Sequence, residues 1–248
     1  MIKRALIEIG KLQRFKTDVT RIVETQEYAA TTSLVDDLDE QSLLEDLLDD
    51  VKPNYREGTK SLHYLLSTPF RYPPLKYGSR FGDVTMPSYF YASDDVDTAL
   101  SECAFYRFVF LDDMSVPYNK AIKSEHMSFS VKIDALATAD LTKVKSKDIL
   151  KLLTSPVNYL FTQQLGKYLT QEVGATALRF YSARAKTNKG INIAISKPEV
   201  IVSEKPVNNV NWICHTTTER ISFNAHENTP ISFNIGYFLI DGVLPRFT

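Results

Sequence analysis

Between Asp39 and Val51, apolar residues recur at Leu43, Leu44, Leu47, Leu48 and Val51 with acids in the gaps, which predicts an amphipathic helix. Pro53 stops it. Residues 1–66 as a whole are expected to be mostly helical. From 67 to 90 periodicity is lost among Pro69, Pro73, Pro74, Gly78, Gly82 and Pro87, so this stretch reads as loop with short extended pieces. A long loop inside a compact domain is usually functional or disordered, and the aromatics here argue against disorder.

Ser88 to Ala92 then reads as a short strand. Ser93 suits a helix N-cap, with Asp94 and Asp95 in the first turn. Val96, Ala99, Leu100 and Cys103 line one face of the following helix. Glu102 lies about 100° from the centre of that stripe, at the edge of the buried face, beside Thr98 and Phe105. Further on, Phe129 to Ile133 alternates like a strand, and Asp148 to Leu153 and Val157 to Glu172 read as helices, the second capped by Gly174. Ala177 to Phe180, Ile191 to Ile195 and Val200 to Ser203 read as strands, and the tail from Asn211 to Leu244 as two or three more. Helices come early and strands late. That order predicts an α+β fold with a mainly antiparallel sheet rather than alternating βαβ units.

With 248 residues, 44% of them hydrophobic, the chain can bury one sizeable core. Its 29 basic and 30 acidic residues nearly cancel, which disfavours extended nucleic-acid binding but allows a local arginine cluster for one small phosphate ligand. Cys103 and Cys214 lack metal-ligand spacing, and the histidines at 63, 126, 215 and 226 form no metal signature, so no metal is expected. Cys103 reads as a small core residue, and free thiols point to a reducing compartment. Glu8 and Lys11 interrupt the apolar start too early for a signal peptide, and no stretch approaches the length of a membrane span. A cytoplasmic location is expected, with a leaderless secretion route as the alternative.

Dinucleotide-fold, P-loop, nucleophile-elbow and zincin motifs are all missing. The candidate chemistry lies elsewhere. Arg71 and Arg80 can each donate two parallel hydrogen bonds to a phosphate, and a pair of them suits a pyrophosphate. The plainer alternative is two arginines bonded to loop carbonyls. Tyr72 and Tyr91 offer flat faces for a nicotinamide or adenine ring, or fill the core. Glu102 can stabilise the positive charge that builds on a ribose when an N-glycosidic bond breaks, or it is a solvated helix residue. Ser182 can anchor a phosphate or ribose hydroxyl, or bond its own turn.

These pieces follow one another in order: Arg71-Tyr72, then Gly78-Ser79-Arg80-Phe81-Gly82, then Tyr91-Ala92-Ser93 with Ala99-Leu100-Ser101-Glu102, then Tyr181-Ser182-Ala183-Arg184. The run resembles the RES-domain family, named for an arginine, a glutamate and a serine. Here those would be Arg71, Glu102 and Ser182, with Arg80, Tyr72 and Tyr91 as further pocket residues. The resemblance covers roughly residues 65–200. Upstream, Arg21 to Gln26 and Glu40 to Glu45 resemble the extension of longer members. Many members carry Gly-Gly-Arg-Trp-Asn where this chain has Gly78 to Gly82, and the asparagine is missing here.

The resemblance implies an ADP-ribosyltransferase-like core of small, mainly antiparallel sheets with helices. Residues 1–64 would be a helical N-terminal extension, 65–200 the catalytic core and 201–248 strands completing the sheet, all one domain. It further implies a toxin that breaks NAD at the nicotinamide–ribose bond, as a glycohydrolase or phosphorylase, without a metal. Arg71 and Arg80 would bind the phosphates, Tyr72 and Tyr91 would pack on the nicotinamide end, Glu102 would stabilise the oxocarbenium ion and Ser182 would anchor substrate. The implied partner is a small helix-turn-helix antitoxin of the Xre type, with no direct nucleic acid and no membrane contact. The alternatives are a protein ADP-ribosyltransferase with the same first half-reaction and a non-catalytic nucleotide-binding module. The tail segments Ile221 to Asn224 and Ile231 to Asn234 are expected to complete the core sheet, the other reading being an edge for a homodimer.

Overall fold

Phe129, Val131, Ile133 and Ala135 are all buried and alternate with more exposed positions, and this period of two runs through the longest strand of the molecule. The computed structural model describes residues 1–25, 34–116, 120–185, 189–226 and 228–246. In it β3 spans Ile122–Asp140, far beyond the expected Phe129 to Ile133. The sheet is organised around it. β1 (Gln13–Glu24) lies antiparallel along one edge, from Gln13 opposite Thr138 to Glu24 opposite His126. The other edge carries β6 (Val207–Thr216), antiparallel, near one end and β4 (Ala177–Tyr181), parallel, at the other.

The remaining pairings complete two groups that share β3. β4 pairs with β5 (Ile191–Ile195), β5 with β2 (Phe90–Ser93), and β2 returns to β1 through Thr20 opposite Ser93. On the other side β6, β7 (Arg220–Asn224) and β8 (Ile231–Asn234) form an antiparallel meander. The eight strands therefore form one connected, mainly antiparallel sheet, and the α+β expectation holds. The tail strands complete that sheet. The β2–β1 junction is short, and the buried Arg21 guanidinium reinforces it by donating to the Tyr91 carbonyl at 2.6 Å. Burial pushes its pKa down to about 10.

Helices cover this sheet. α1 (Ile2–Ile9), α5 (Lys147–Leu153) and α6 (Leu160–Lys167) share a core with Phe81, Leu178 and Phe180. α4 (Val96–Asp112) buries Leu100, Ala104, Phe105 and Phe108 against β6 and β7. Cys103 packs at the margin of that core, where burial pushes its thiol up to about 12, so it behaves as a small apolar residue. α2 (Leu38–Asp50) and α3 (Tyr64–Arg71) precede the Pro-rich stretch.

Five expectations need correction. Residues 1–66 are not mostly helical, because β1 occupies Gln13–Glu24, where Phe15, Val19 and Val23 pack into the core from one face of the strand while Lys16 and Asp18 are exposed. The expectation over 26–33, including Gln26, lies outside the described residues. The start of the 67–90 loop is helix instead: α3 runs to Arg71 through Pro69, held by the burial of Leu66 and Phe70 one turn apart. Ser93 does not cap α4. It ends β2, and Asp95 caps the helix by accepting from the Thr98 amide at 2.7 Å. The helix expected over Val157 to Glu172 begins only at Leu160, and its last turn, Tyr168–Glu172, is π-helical before Gly174. Val200 to Ser203 is not a strand: Pro198 opens a 3₁₀ turn, and only Ile201 bridges to Ile133.

Candidate functional site

The amide of Asn192 and the hydroxyl of Ser182 meet on one oxygen of Glu102. Three neighbouring strand ends and one helix bring this about. Glu102 stands one turn and a half into α4, on the side of the helix facing the sheet. Asn192 is opposite Ser93 across the β2–β5 pairing and opposite Phe180 across β4–β5. Ser182 follows β4 directly, and its own amide donates to the Gly190 carbonyl at 2.7 Å.

The hydrogen bonds are directional. Ser182 Oγ accepts from the amides of Arg184 and Ala185, both at 3.0 Å, so its proton is free to go to Glu102 Oε1 at 2.6 Å. Ser93 Oγ donates to Asn192 Oδ1 at 2.7 Å. That bond turns the Asn192 amide so that Nδ2 donates to the same Glu102 oxygen at 2.6 Å. Ser93, Ser182 and Asn192 are all buried. The carboxylate is thus held by two donors from the sheet, and among the described residues both bonds fall on Oε1.

A pair of guanidiniums lies beside it. Arg184 is 2% exposed and stacks over the Phe105 ring at 3.4 Å, one turn of α4 from Glu102. It donates to the Pro156 carbonyl at 3.0 Å and approaches Tyr159 Oη at 3.5 Å. Arg80 reaches the same tyrosine from the opposite chain segment, with Oη at 3.3 Å and its guanidinium 4.4 Å from the ring centre. It also donates to the carbonyls of Leu153 and Ser155. Among the described residues no carboxylate pairs with either arginine. Burial pushes the pKa of the nearby Tyr106 hydroxyl up, Tyr159 and Glu102 add to this, and Arg184 and Arg80 oppose it.

The loop that carries Arg80 is tightly built. Gly78 has φ +70°, and a Cβ there would stand 2.3 Å from the Gly82 carbonyl. The Ser79 amide donates to that carbonyl at 2.7 Å, and Gln163 on α6 donates to the carbonyls of Tyr77 and Ser79. Gly166 on α6 lets the Phe81 backbone come close, since a Cβ would meet the Phe81 carbonyl at 2.1 Å.

The six residues singled out from sequence are distributed unevenly. Glu102 and Ser182 are in direct contact, and Arg80 is linked to them through Tyr159 and Arg184. Tyr91 lies under the Arg80 loop: its hydroxyl donates to Ser79 Oγ and accepts from the Phe81 amide, and burial raises its pKa. Arg71 turns to another group. Its Nε donates to the Pro53 carbonyl at 2.6 Å, its guanidinium lies 4.1 Å from the Tyr55 ring centre, and Asp49 is 3.5 Å away. Tyr72 is 42% exposed, and among the described residues it gives only its carbonyl, to Ser88 Oγ. Sequence reasoning missed Asn192, Ser93, Tyr159 and Arg184 as site residues. A lone asparagine in the apolar strand Ile191–Ile195 was a readable signal for the first, whereas Tyr159 carries none.

Two cavities border α4. One of about 500 Å³ is bordered by Thr20, Asp97, Ser128 and Trp212. A smaller one of about 140 Å³ is bordered by Asp97, Thr98, Ser101 and Ala185. Glu102, Ser182 and Arg80 border neither, although Ser101 and Ala185 are chain neighbours of the site. Among the described residues no group of three or more histidines, cysteines or acids gathers as metal ligands do, and no described helix is long and apolar enough to cross a membrane.

Comparison with curated proteins returns no match. Among solved structures, the M. tuberculosis MbcT–MbcA toxin–antitoxin complex is similar at 10% identity and a TM-score of 0.45, over 88% of this chain and 92% of that one. The RES domain family model matches residues 53–216, more than half of the chain. Glu102, Ser182, Asn192, Arg80 and Arg184 all fall within that span, and the chain belongs to the RES-domain family.

Proposed function

We propose that this protein is an NAD-consuming toxin that breaks the nicotinamide–ribose bond, with water or phosphate as acceptor, and that a small Xre-type helix-turn-helix antitoxin neutralises it. The observation that carries the reading is the Glu102 carboxylate held on Oε1 by Ser182 and Asn192, next to two arginines that no described carboxylate neutralises.

In this reading the pyrophosphate of NAD lies against Arg80 and Arg184, whose planar guanidiniums suit paired phosphate oxygens. The bond between the ribose C1′ and the nicotinamide nitrogen breaks, and its electron pair leaves with the neutral nicotinamide. Positive charge then develops on the ribose, facing Glu102. A carboxylate fixed before the reaction needs no reorganisation as that charge forms, which is where such groups contribute most. Water or phosphate adds to C1′. Water gives up a proton and yields ADP-ribose, and phosphate yields the phosphorylated sugar. Ser182 and Asn192 hold the carboxylate, and Tyr159 spaces the two arginines.

The test is NAD turnover by the purified full chain in buffer with and without phosphate, with products resolved by chromatography. Free nicotinamide with ADP-ribose, or with its phosphorylated form when phosphate is present, is the expected result and identifies the acceptor. ADP-ribose appearing on lysate proteins instead would move the same first step to a protein acceptor. Neither release nor labelling would overturn the enzymatic reading. Growth arrest on expression, relieved by co-expressing a candidate helix-turn-helix antitoxin, tests the partner.

A further inference from the structure

The leucine stripe on α2 does not enter the core. No residue of the helix is buried; Leu43 is 61% exposed, Leu47 55% and Val51 79%. Leu43, Leu47, Val51, Leu44 and Leu48 cover an arc of about 140°, while Asp39, Glu45, Asp46, Asp49 and Asp50 occupy the opposite arc. From Asp36 to Asp50 the sequence contains no lysine or arginine. The helix is well started, since Asp37 caps the amides of Asp39 and Glu40. Its last turn is electrostatically unfavourable, with Asp49 and Asp50 at the negative end of the helix dipole and, among the described residues, only Lys52 and Arg71 answering Asp49. A helix of this length with no fully buried residue is marginal alone.

We propose that this face of α2 docks a basic amphipathic helix of a partner protein. Apolar side chains of that helix would cover Leu43, Leu47 and Val51, and its lysines or arginines would meet the flanking acids and the C-terminal end. Charge selects this occupant. A second copy would bring the same acids against these, and nucleic acid or an anionic membrane surface would be repelled. The surface lies outside the Glu102 site, so the proposal stands whether or not that site cleaves NAD.

The test uses the full chain and a labelled synthetic peptide of about 14 residues made of leucine and lysine, with leucines at helical spacing, and a control peptide with glutamate for lysine. Fluorescence anisotropy should show that the lysine peptide binds, more weakly as salt rises, and that the glutamate peptide does not. Leu43→Ser with Leu47→Ser should weaken binding roughly tenfold or more. Asp46→Lys with Asp50→Lys, which keeps every leucine, should weaken it independently. NAD turnover in the same variants should stay at the wild-type level. Absence of lysine-peptide binding, equal binding of both peptides, or binding indifferent to both double variants would overturn the proposal. So would self-association in analytical ultracentrifugation that the leucine variant abolishes, which would assign the stripe to a second copy.

Discussion

Asn192 donates to Glu102 from the neighbouring strand at 2.6 Å, and its amide cannot turn over without losing the bond from Ser93. The relationship is built into the sheet. Ser93 and Asn192 are register partners, so the pairing of β2 with β5 sets the direction of the carboxylate on α4. It leads to a graded prediction. Asn192→Ala should lower kcat about tenfold with little change in KM, because the carboxylate then has one fixed donor rather than two. Ser93→Ala should give a smaller loss of the same kind, since Asn192 can still donate part of the time. Steady-state kinetics on both variants checks the order. Equal kcat in all three proteins would mean that Ser182 alone orients Glu102.

Glu102→Gln removes the charge and keeps the shape. Its side-chain oxygen can still accept from Ser182 and Asn192, so the site should fold unchanged. Turnover should fall by about 100-fold or more, while NAD affinity by calorimetry stays within a few-fold, because the carboxylate acts on charge that exists only in the transition state. Retained turnover would remove Glu102 from the chemistry.

The arginines separate by location. Arg80→Lys and Arg184→Lys each lose the planar fork and should raise KM for NAD by about tenfold. Arg71→Lys should leave KM alone and lower the melting temperature, because what it loses is the Pro53 carbonyl, the Tyr55 ring and Asp49. A rise in KM for Arg71→Lys would bring that residue back to the substrate.

These contrasts show what the sequence could and could not say. As residues of the candidate site, Glu102 was legible because helix phase alone put it at the edge of the buried face, and Ser182 because it directly follows a strand that the sequence marks. Arg80 was legible from its glycine-bounded loop. Arg71 looked equivalent to it, since both are arginines beside aromatics and prolines. What separates them is the helix through Pro69, which turns Arg71 toward Pro53, and proline pattern hides such a helix. Asn192 joined the candidate site only through strand register, which is not local in sequence, and Arg184 through its approach to Phe105 and Tyr159, which lie far from it along the chain. β1 was missed for a similar reason: its inward positions are apolar, but charged neighbours blur the alternation until β3 supplies the partner.

His126 offers a pH test that does not involve the active site. It is 2% exposed, packs edge-on to Phe223 with ring centres 5.8 Å apart, and its Nδ1 has no partner among the described residues. Burial first, and then the nearby Arg107, push its pKa down to about 4, with Glu24 opposing them. The folded protein therefore resists protonating this ring, whereas the unfolded chain accepts a proton near pH 6.5. Above pH 6.5 both states are neutral there and stability is full. Between pH 6.5 and 4 only the unfolded state gains the proton, so stability falls as pH falls, by about 3 kcal/mol across the window. Below pH 4 both states bind it and this contribution flattens. Urea unfolding of the wild type and His126→Phe at several pH values isolates the effect, because the carboxylates that titrate in the lower part of this window are common to both proteins. The variant should lose most of the slope between pH 6.5 and 4, and parallel curves would mean that His126 is reached by water or protonated in the fold.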